Sequence, residues 1–262
     1  MIDYSFIKSG LGGAGSMAIQ ISSFYWLKTT TSYQYKYGLD TKTAFKKLYQ
    51  NGKFTRFYSG FIPSLLLGCT SKYGDIILYK YFKNKDISLL NQNIMSSACS
   101  TFWRLNLLPL ENLDHMLQVN GNKGYRMMLD KVKNEGYKVL YYGGVPSIAN
   151  NFLGYIGWYY TFSILEKNDN LKNQYPKCYS AFEGTLCTVI SDTITNPLRV
   201  LKLYRQTHVK QISYYRCYKE IIDNSSYINF VTRGLSTRLI MHSLQSSIFV
   251  VLWKYFDDLI EN

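Results

Sequence analysis

Acidic residues and histidines are scarce in this chain of 262 residues. It has 17 Asp and Glu against 30 Lys and Arg, which gives a formal net charge of +13. The three histidines, His115, His208 and His242, are far apart in sequence and lack metal-ligand spacing, so we expect no metal site. With 47% hydrophobic residues, this charge leaves two classes open, a nucleic-acid-binding protein and a basic membrane protein.

Other common signatures are also missing. The five cysteines form neither a C-x-x-C pair nor a disulfide framework, which favours a reducing environment or buried thiols. There is no Walker-type phosphate loop, and the glycine-rich segment 10–15 opens an apolar helix, so we interpret it as a packing surface. The first residues lack a basic and then an apolar region, so we expect no secretory signal. Nothing in the sequence indicates an enzyme, a catalytic residue or a cofactor.

Long stretches without charge decide between the two classes. Segments 9–27, 87–103 and 143–165 contain 19, 17 and 23 uncharged residues. A helix needs about 20 apolar residues to cross a bilayer, so these runs favour a membrane protein. The segments 57–71 and 239–253 are shorter or interrupted, which is typical of helices that line a wet interior. A soluble helical protein with buried helices is the alternative.

An internal repeat organises the chain. Pro109 and Gln118 recur as Pro197 and Gln206, with the same internal spacing and an offset of 88 residues. Upstream, Gln34 precedes Gln118 by 84 residues. This period predicts three units, which we place at residues 1–86, 87–172 and 173–262.

The predicted fold is an all-α membrane protein with six transmembrane helices in three pseudo-symmetric repeats. Each repeat adds a short, Lys-rich surface helix that would also attract anionic lipid headgroups. The long helices are predicted at about 6–35, 58–83, 91–118, 143–167, 177–207 and 232–259. The surface helices are predicted near 41–50, 123–133 and 213–223.

Over nearly the whole chain, this arrangement resembles the mitochondrial carrier family. The family pattern is Pro-x-acidic-x-x-basic on each odd-numbered helix, followed by Gln, acidic-Gly and aromatic-basic-Gly. Repeat two matches it with Pro109, Glu111, Gln118, Glu135, Gly136, Tyr141 and Gly143. Repeat three keeps Pro197, Lys202, Gln206, Arg233 and Gly234. Repeat one keeps only Gln34, Gly52, Tyr58 and Gly60.

The resemblance implies a gate of charged residues at each end of a central cavity. Pro109 and Pro197 would kink their helices toward the axis. The family's pairing aligns Leu27 with Asp114, Glu111 with Lys202, and Arg199 with Thr30, so only Glu111–Lys202 is an ion pair. Asp114 and Arg199 have the opposite sign to the family's residues and are candidates for other bridges across the pore. Gln34, Gln118 and Gln206 are the expected braces, and Lys80–Glu166 is the pair expected at the other gate.

Two alternatives stay open for these charges. They are simple helix caps, or the depleted gates belong to a protein with altered coupling or lost transport. An exposed ion pair contributes only about 0–1 kcal/mol, so few pairs would close such gates weakly.

The resemblance also places a substrate site between the gates. Its expected residues are Gln20, Gly68, Lys72, Arg104, Asn150, Asn151, Asp192, Arg238, Met241 and His242. Charges inside apolar helices are costly and usually functional, although Arg104 and Asp192 could instead form a structural ion pair. His242 alone fits a hydrogen-bonded lining group better than a proton relay. Cations and amides together suit an anionic substrate with a polar moiety.

The turns at Gly60, Gly143 and Gly234 open the even-numbered helices with free N–H groups, which favour anions. The resemblance implies cardiolipin phosphates there, and plain helix starts are the alternative. It further implies a multi-pass monomer of the mitochondrial inner membrane, with no nucleic-acid partner. We expect this protein to exchange an anionic metabolite by alternating access, most readily nucleotides or deoxynucleotides. A carboxylate, phosphate or cofactor carrier, and a non-transporting anchor or receptor, are the alternatives.

Overall fold

A computed structural model describes residues 4–85, 89–165, 176–210 and 212–245. In the first part of the chain, α1 spans Tyr4–Tyr37, α2 Thr41–Gln50, α3 Lys53–Phe57 and α4 Phe61–Lys83. Next come α5 (Leu89–Asn106), α6 (Leu108–Asn120), α7 (Lys123–Glu135), a 3-10 helix (Tyr137–Tyr141) and α8 (Gly144–Leu165). The last part contains α9 (Pro176–Gln206), α10 (Tyr214–Asp223), α11 (Tyr227–Thr232) and α12 (235–245).

The prediction of an all-α protein is confirmed, because no strand occurs among the residues that the structure describes. A long helix, a surface helix, a short turn of helix and a second long helix follow one another three times. In the same residues, no helix combines the length and the apolar character that a membrane crossing requires.

The structure differs from the predicted helices at one proline. The single helix expected over 91–118 is divided at Leu107 into α5 and α6, and Pro109 lies in the first turn of α6. Proline has no N–H to donate and its ring crowds the carbonyl four residues earlier, so a helix start suits it. Pro197, by contrast, lies inside the continuous α9. The sixth predicted helix extends to 259, and only its part up to residue 245 is described.

The long helices pack closely in pairs, α1 with α4 and α8 with α9. Gly13 on α1 faces Ile76 on α4, and a Cβ at Gly13 would overlap the Ile76 side chain. The glycine-rich start of α1 therefore permits a close helix contact, in agreement with its interpretation as a packing surface.

Three buried basic side chains each reach the C-terminal end of a long helix in another part of the chain. Arg56 Nη2 donates to the carbonyls of Gln118 (2.9 Å) and Val119 (2.6 Å), Lys131 Nζ to Gln206 (3.0 Å), and Arg233 Nη1 to Tyr35 (3.5 Å). The last carbonyls of a helix have no partner within it and carry partial negative charge. The first part thus caps the second, the second caps the third, and the third caps the first.

The pH dependence of stability tests the Lys131 contact in this ring of three capping side chains, Arg56, Lys131 and Arg233. Burial lowers the pKa of the Lys131 ammonium from 10.5 to about 8. Between these pH values the unfolded chain still holds a proton that the folded protein has released, so stability rises with pH. We predict that the free energy of unfolding of the wild type rises relative to Lys131→Met between pH 8 and 10.5. Denaturant melts of both proteins at several pH values measure this difference.

The matched control is Lys133→Met, which removes an exposed lysine from the same helix. Its difference from the wild type should stay flat over this range. If the difference in free energy of unfolding between the wild type and Lys131→Met were also independent of pH, the Lys131 ammonium would keep its proton in the folded wild type over this range.

Candidate functional site

A cavity of about 390 Å³ lies between the long helices and is lined by residues from all three parts of the chain. The basic lining residues are Lys28, Lys72, Arg104, Arg199, Lys202 and Arg238. Asp75 and Glu111 are the acidic ones among the described lining residues. Low-dielectric walls focus such an excess of charge, so the cavity has a positive potential that attracts anions.

The structure brings most of the expected substrate-site residues to this cavity. Those that line it are Gly68, Lys72, Arg104, Asn150, Asn151, Arg238, Met241 and His242. Gln20 and Asp192 are buried, at 7% and 3% exposure, and do not belong to the lining. Leu67, next to Gly68, lines the cavity too.

Asp192 lies behind the cavity wall, where three basic groups surround its carboxylate. Its Oδ1 is 3.1 Å from Arg199 Nη2 and 3.2 Å from Arg238 Nε, and its Oδ2 is 2.5 Å from His242 Nδ1. Arg199 Nε also donates to Asn150 Oδ1 at 2.8 Å. The carboxylate is thus compensated from both sides, and it joins α9 to α12.

One pairing considered from the sequence is wrong. Arg104 does not pair with Asp192, because its Nη2 binds Asp75 on the neighbouring helix α4. Arg199, which the alignment set opposite Thr30, contacts Asn150 and Asp192, and the Thr30 hydroxyl donates to the Trp26 carbonyl at 2.8 Å in its own helix. Asp75 was missed by the sequence reasoning, although an acidic residue three positions after Lys72 in an apolar helix could have indicated it.

Two ion pairs connect helices where α6 lines the cavity. Lys202 Nζ on α9 donates to Glu111 Oε1 at 2.7 Å, as the motif alignment expects. Lys28 Nζ on α1 donates to Asp114 Oδ2 at 2.8 Å, whereas the alignment had placed Leu27 opposite Asp114. Lys28 was missed, even though it is the only charged residue between positions 9 and 35. A gating role for both pairs stays a prediction.

The predicted glutamine braces differ from one another in their surroundings. Gln118 Nε2 donates to Asp114 Oδ1 at 2.6 Å, so it supports the Lys28–Asp114 pair. Gln206 Oε1 is 2.6 Å from His115 Nδ1, and its amide donates to the Tyr142 carbonyl at 2.9 Å. Gln34 bonds locally, to the Leu39 carbonyl and the Thr41 hydroxyl, both at 3.2 Å. Of the other expected gate pair, Lys80 lies on α4 and Glu166 lies outside the described residues.

The three predicted lipid-binding turns share one backbone feature. Gly60, Gly143 and Gly234 have φ values of 89°, 96° and 62°, a region that favours glycine. The Gly143 N–H donates to the Tyr214 hydroxyl at 3.1 Å. The Gly60 turn borders a second cavity, of about 900 Å³, which Arg56 also lines.

No group of His, Cys, Asp and Glu able to hold a metal ion occurs in the part of the chain that the structure describes. The polar lining of the cavity includes cations, the amides of Asn150 and Asn151, and carboxylates. Such a site can bind an anion by charge and hydrogen bonds.

Comparison with known proteins indicates the class of transport proteins. No family model matches the chain. The chain is 23% identical over 209 residues to the mitochondrial carrier-like protein L276 of Acanthamoeba polyphaga mimivirus. The match covers 80% of this chain and 78% of that protein. The similarity confirms the resemblance to mitochondrial carriers predicted from the repeated motifs.

Asp114 provides a test of how much the Lys28–Asp114 ion pair contributes to the stability of the protein. Its side chain is fully buried and also accepts a hydrogen bond from the Tyr25 hydroxyl at 3.1 Å. Removing one member of a buried pair costs about 3–5 kcal/mol, because the remaining groups lose their partner. We predict that Asp114→Asn lowers the free energy of unfolding by about 3 kcal/mol or more, as measured by denaturant melts.

Asp130→Asn is the control, since it makes the same change at an exposed position on α7. It should change stability by no more than about 0.5 kcal/mol. Equal effects of the two substitutions would contradict the structural importance of the Lys28–Asp114 pair.

Proposed function

We propose that this protein carries a small anionic metabolite across a membrane through the central cavity. The observation that carries the proposal is the excess of Lys and Arg over Asp and Glu among the described lining residues. Isolated charges inside helices are expensive, and this cavity places six basic side chains where they can reach a ligand. The similarity to a mitochondrial carrier-like protein supports transport in general.

Alternating access is the proposed mechanism, with Glu111–Lys202 and Lys28–Asp114 as gate pairs. Both pairs link α6 to another long helix, so separating the helices at this end requires both to break. Substrate that binds the cavity cations would offset part of this cost, because only differential interaction with the two states shifts their equilibrium. The three repeats at 1–86, 87–172 and 173–262 would supply the moving units.

Nucleotides, including deoxynucleotides, are the proposed cargo. The cavity cations suit phosphate groups, and the amides of Asn150 and Asn151 suit a base or hydroxyl groups. A carboxylate, phosphate or cofactor as cargo is the first alternative. The second alternative is a protein that no longer transports and serves as an anchor or receptor, which the sparse motifs of the first repeat favour.

We place the protein in the mitochondrial inner membrane as a multi-pass monomer, on the basis of its resemblance to the carriers. In the sequence, the uncharged stretch 143–165 supports the membrane assignment, although α8, which occupies most of it, is among the described helices that lack the apolar character for a crossing. Cardiolipin is the proposed lipid partner at the turns of Gly60, Gly143 and Gly234. This assignment requires cardiolipin to raise the melting temperature of the purified protein more than phosphatidylcholine does, and equal effects would exclude it.

Ligand-induced thermal stabilisation of the purified protein tests the cargo. A ligand that binds only the folded state stabilises it, by about 2.7 kcal/mol when its concentration is 100 times its Kd. The apparent melting temperature rises as a result. We predict stabilisation by nucleoside triphosphates, and its loss in Arg104→Ala and in Asn150→Ala. Keto acids, amino acids and inorganic phosphate are screened in parallel.

Arg126→Ala is the matched control, because it removes an exposed arginine from α7, outside the cavity lining. It should respond to nucleotides as the wild type does. Stabilisation by a different class of compound would change the cargo and leave the carrier in place. A folded protein that no compound stabilises would support the anchor or receptor instead.

A further inference from the structure

Arg199 faces the substrate cavity, although its position in the repeated motif suggested a gate residue. It lies on α9 between the gate residue Lys202 and the buried Asp192, and it lines the cavity. Its Nε donates to Asn150 Oδ1 at 2.8 Å, and its Nη2 is 3.1 Å from Asp192 Oδ1. These two contacts hold the guanidinium against the cavity wall.

Arg238 on α12 meets the same carboxylate oxygen from another direction, with its Nε 3.2 Å from Asp192 Oδ1. The two arginine side chains are 18% and 19% exposed, whereas that of Asp192 is 5% exposed. The guanidinium groups therefore stand in front, toward the cavity, and the carboxylate stands behind them. His242 Nδ1 lies 2.5 Å from the second carboxylate oxygen, so a third basic residue adjoins Asp192 in this rear position.

The front of this cluster presents hydrogen-bond donors. A guanidinium has five N–H groups in a planar fork and no acceptor, and Asp192 Oδ1 lies near one nitrogen of each guanidinium. Asn150 Oδ1 accepts from Arg199, and its amide nitrogen donates one N–H to Asn151 Oδ1 at 3.5 Å, so its second N–H is the one that can meet a ligand. Two guanidinium cations against one carboxylate leave a net positive charge. Donors and positive charge in one place match an oxyanion.

We propose that Arg199, Arg238 and Asn150 form a subsite for one oxyanion of the cargo, a phosphate or a carboxylate. Asp192 is the built-in counter-ion of this subsite, which compensates the two arginines while no cargo is bound. The proposal rests on the proposed function and adds to it the place where the anionic group binds. It assigns Arg199 to binding and Asp192 to the positioning of both arginines.

The test compares oxyanions with matched neutral compounds in thermal stabilisation of the purified protein. AMP against adenosine reports a phosphate, and succinate against succinamide reports a carboxylate. We expect Arg199→Ala to weaken binding of the stabilising oxyanion at least about tenfold, and Arg199→Lys to weaken it less, since Lys keeps the charge without the fork. Arg126→Ala, which removes an exposed arginine, should leave binding unchanged.

The Asp192→Asn variant distinguishes two interpretations of this cluster. It is either a subsite that binds an oxyanion or a group of internal ion pairs that binds no ligand. The substitution keeps the shape and removes the counter-charge, so the protein without ligand should melt at a lower temperature. The same oxyanion should then raise the melting temperature of Asp192→Asn more than that of the wild type, because it replaces the missing charge. The neutral partner compound should produce no such rescue.

The outcomes distinguish this subsite from the carrier proposal. Oxyanions that stabilise the wild type, Arg199→Ala and Asp192→Asn equally would overturn the subsite and leave an anion carrier that uses other cations. If Arg199→Ala binds the oxyanion as tightly as the wild type but takes it up into liposomes more slowly, Arg199 is a gate residue and not a binding residue. If no oxyanion stabilises the wild type or Asp192→Asn, the subsite and the anionic cargo both fail.

Discussion

A carboxylate without contact with solvent must be compensated where it lies, and that of Asp114 depends on residues from two helices. Lys28 on α1 supplies the charge, while Tyr25 and Gln118 supply hydrogen bonds. The positions of α1 and α6 are thereby fixed relative to each other at one end of the cavity. The Glu111–Lys202 pair does the same for α6 and α9. The cavity is bounded at this end by helices whose separation would expose charges that now have partners.

The same requirement explains why acidic residues are few and yet well placed. Asp75, Glu111, Asp114 and Asp192 each contact a basic group on another helix. In each case the basic partner lines the cavity, so one set of cations holds the helices together and faces the interior. A ligand with negative charge would compete for those cations with the protein's own carboxylates. In the proposed carrier, binding and helix separation would then be linked by electrostatics.

The sequence was a good guide to the helices and a poor guide to side-chain partners. The surface helices predicted near 41–50 and 213–223 are α2 and α10, and Asp40 and Ser213 accept hydrogen bonds at their starts, as capping residues do. Partners depend on rotation about the helix axis, and an error of one residue turns a side chain by about 100°. That error separates Leu27 from Lys28 opposite Asp114. Motif register likewise gave Arg199 its place along α9, but not the direction of its guanidinium.

The ring of buried cations has a consequence for how the protein assembles during synthesis. Arg233 bonds to Tyr35, a residue 198 positions earlier, and Thr41 meets Thr237 across 196 positions. Contacts between such distant residues close large loops and tend to form late. The Gln34 carbonyl at the end of α1 accepts locally from the Gly38 N–H at 2.7 Å, whereas the Tyr35 carbonyl must wait for Arg233 until nearly the whole chain has been made. If translation pauses before residue 233, the helices made so far lack the contacts that join the first and last parts of the chain.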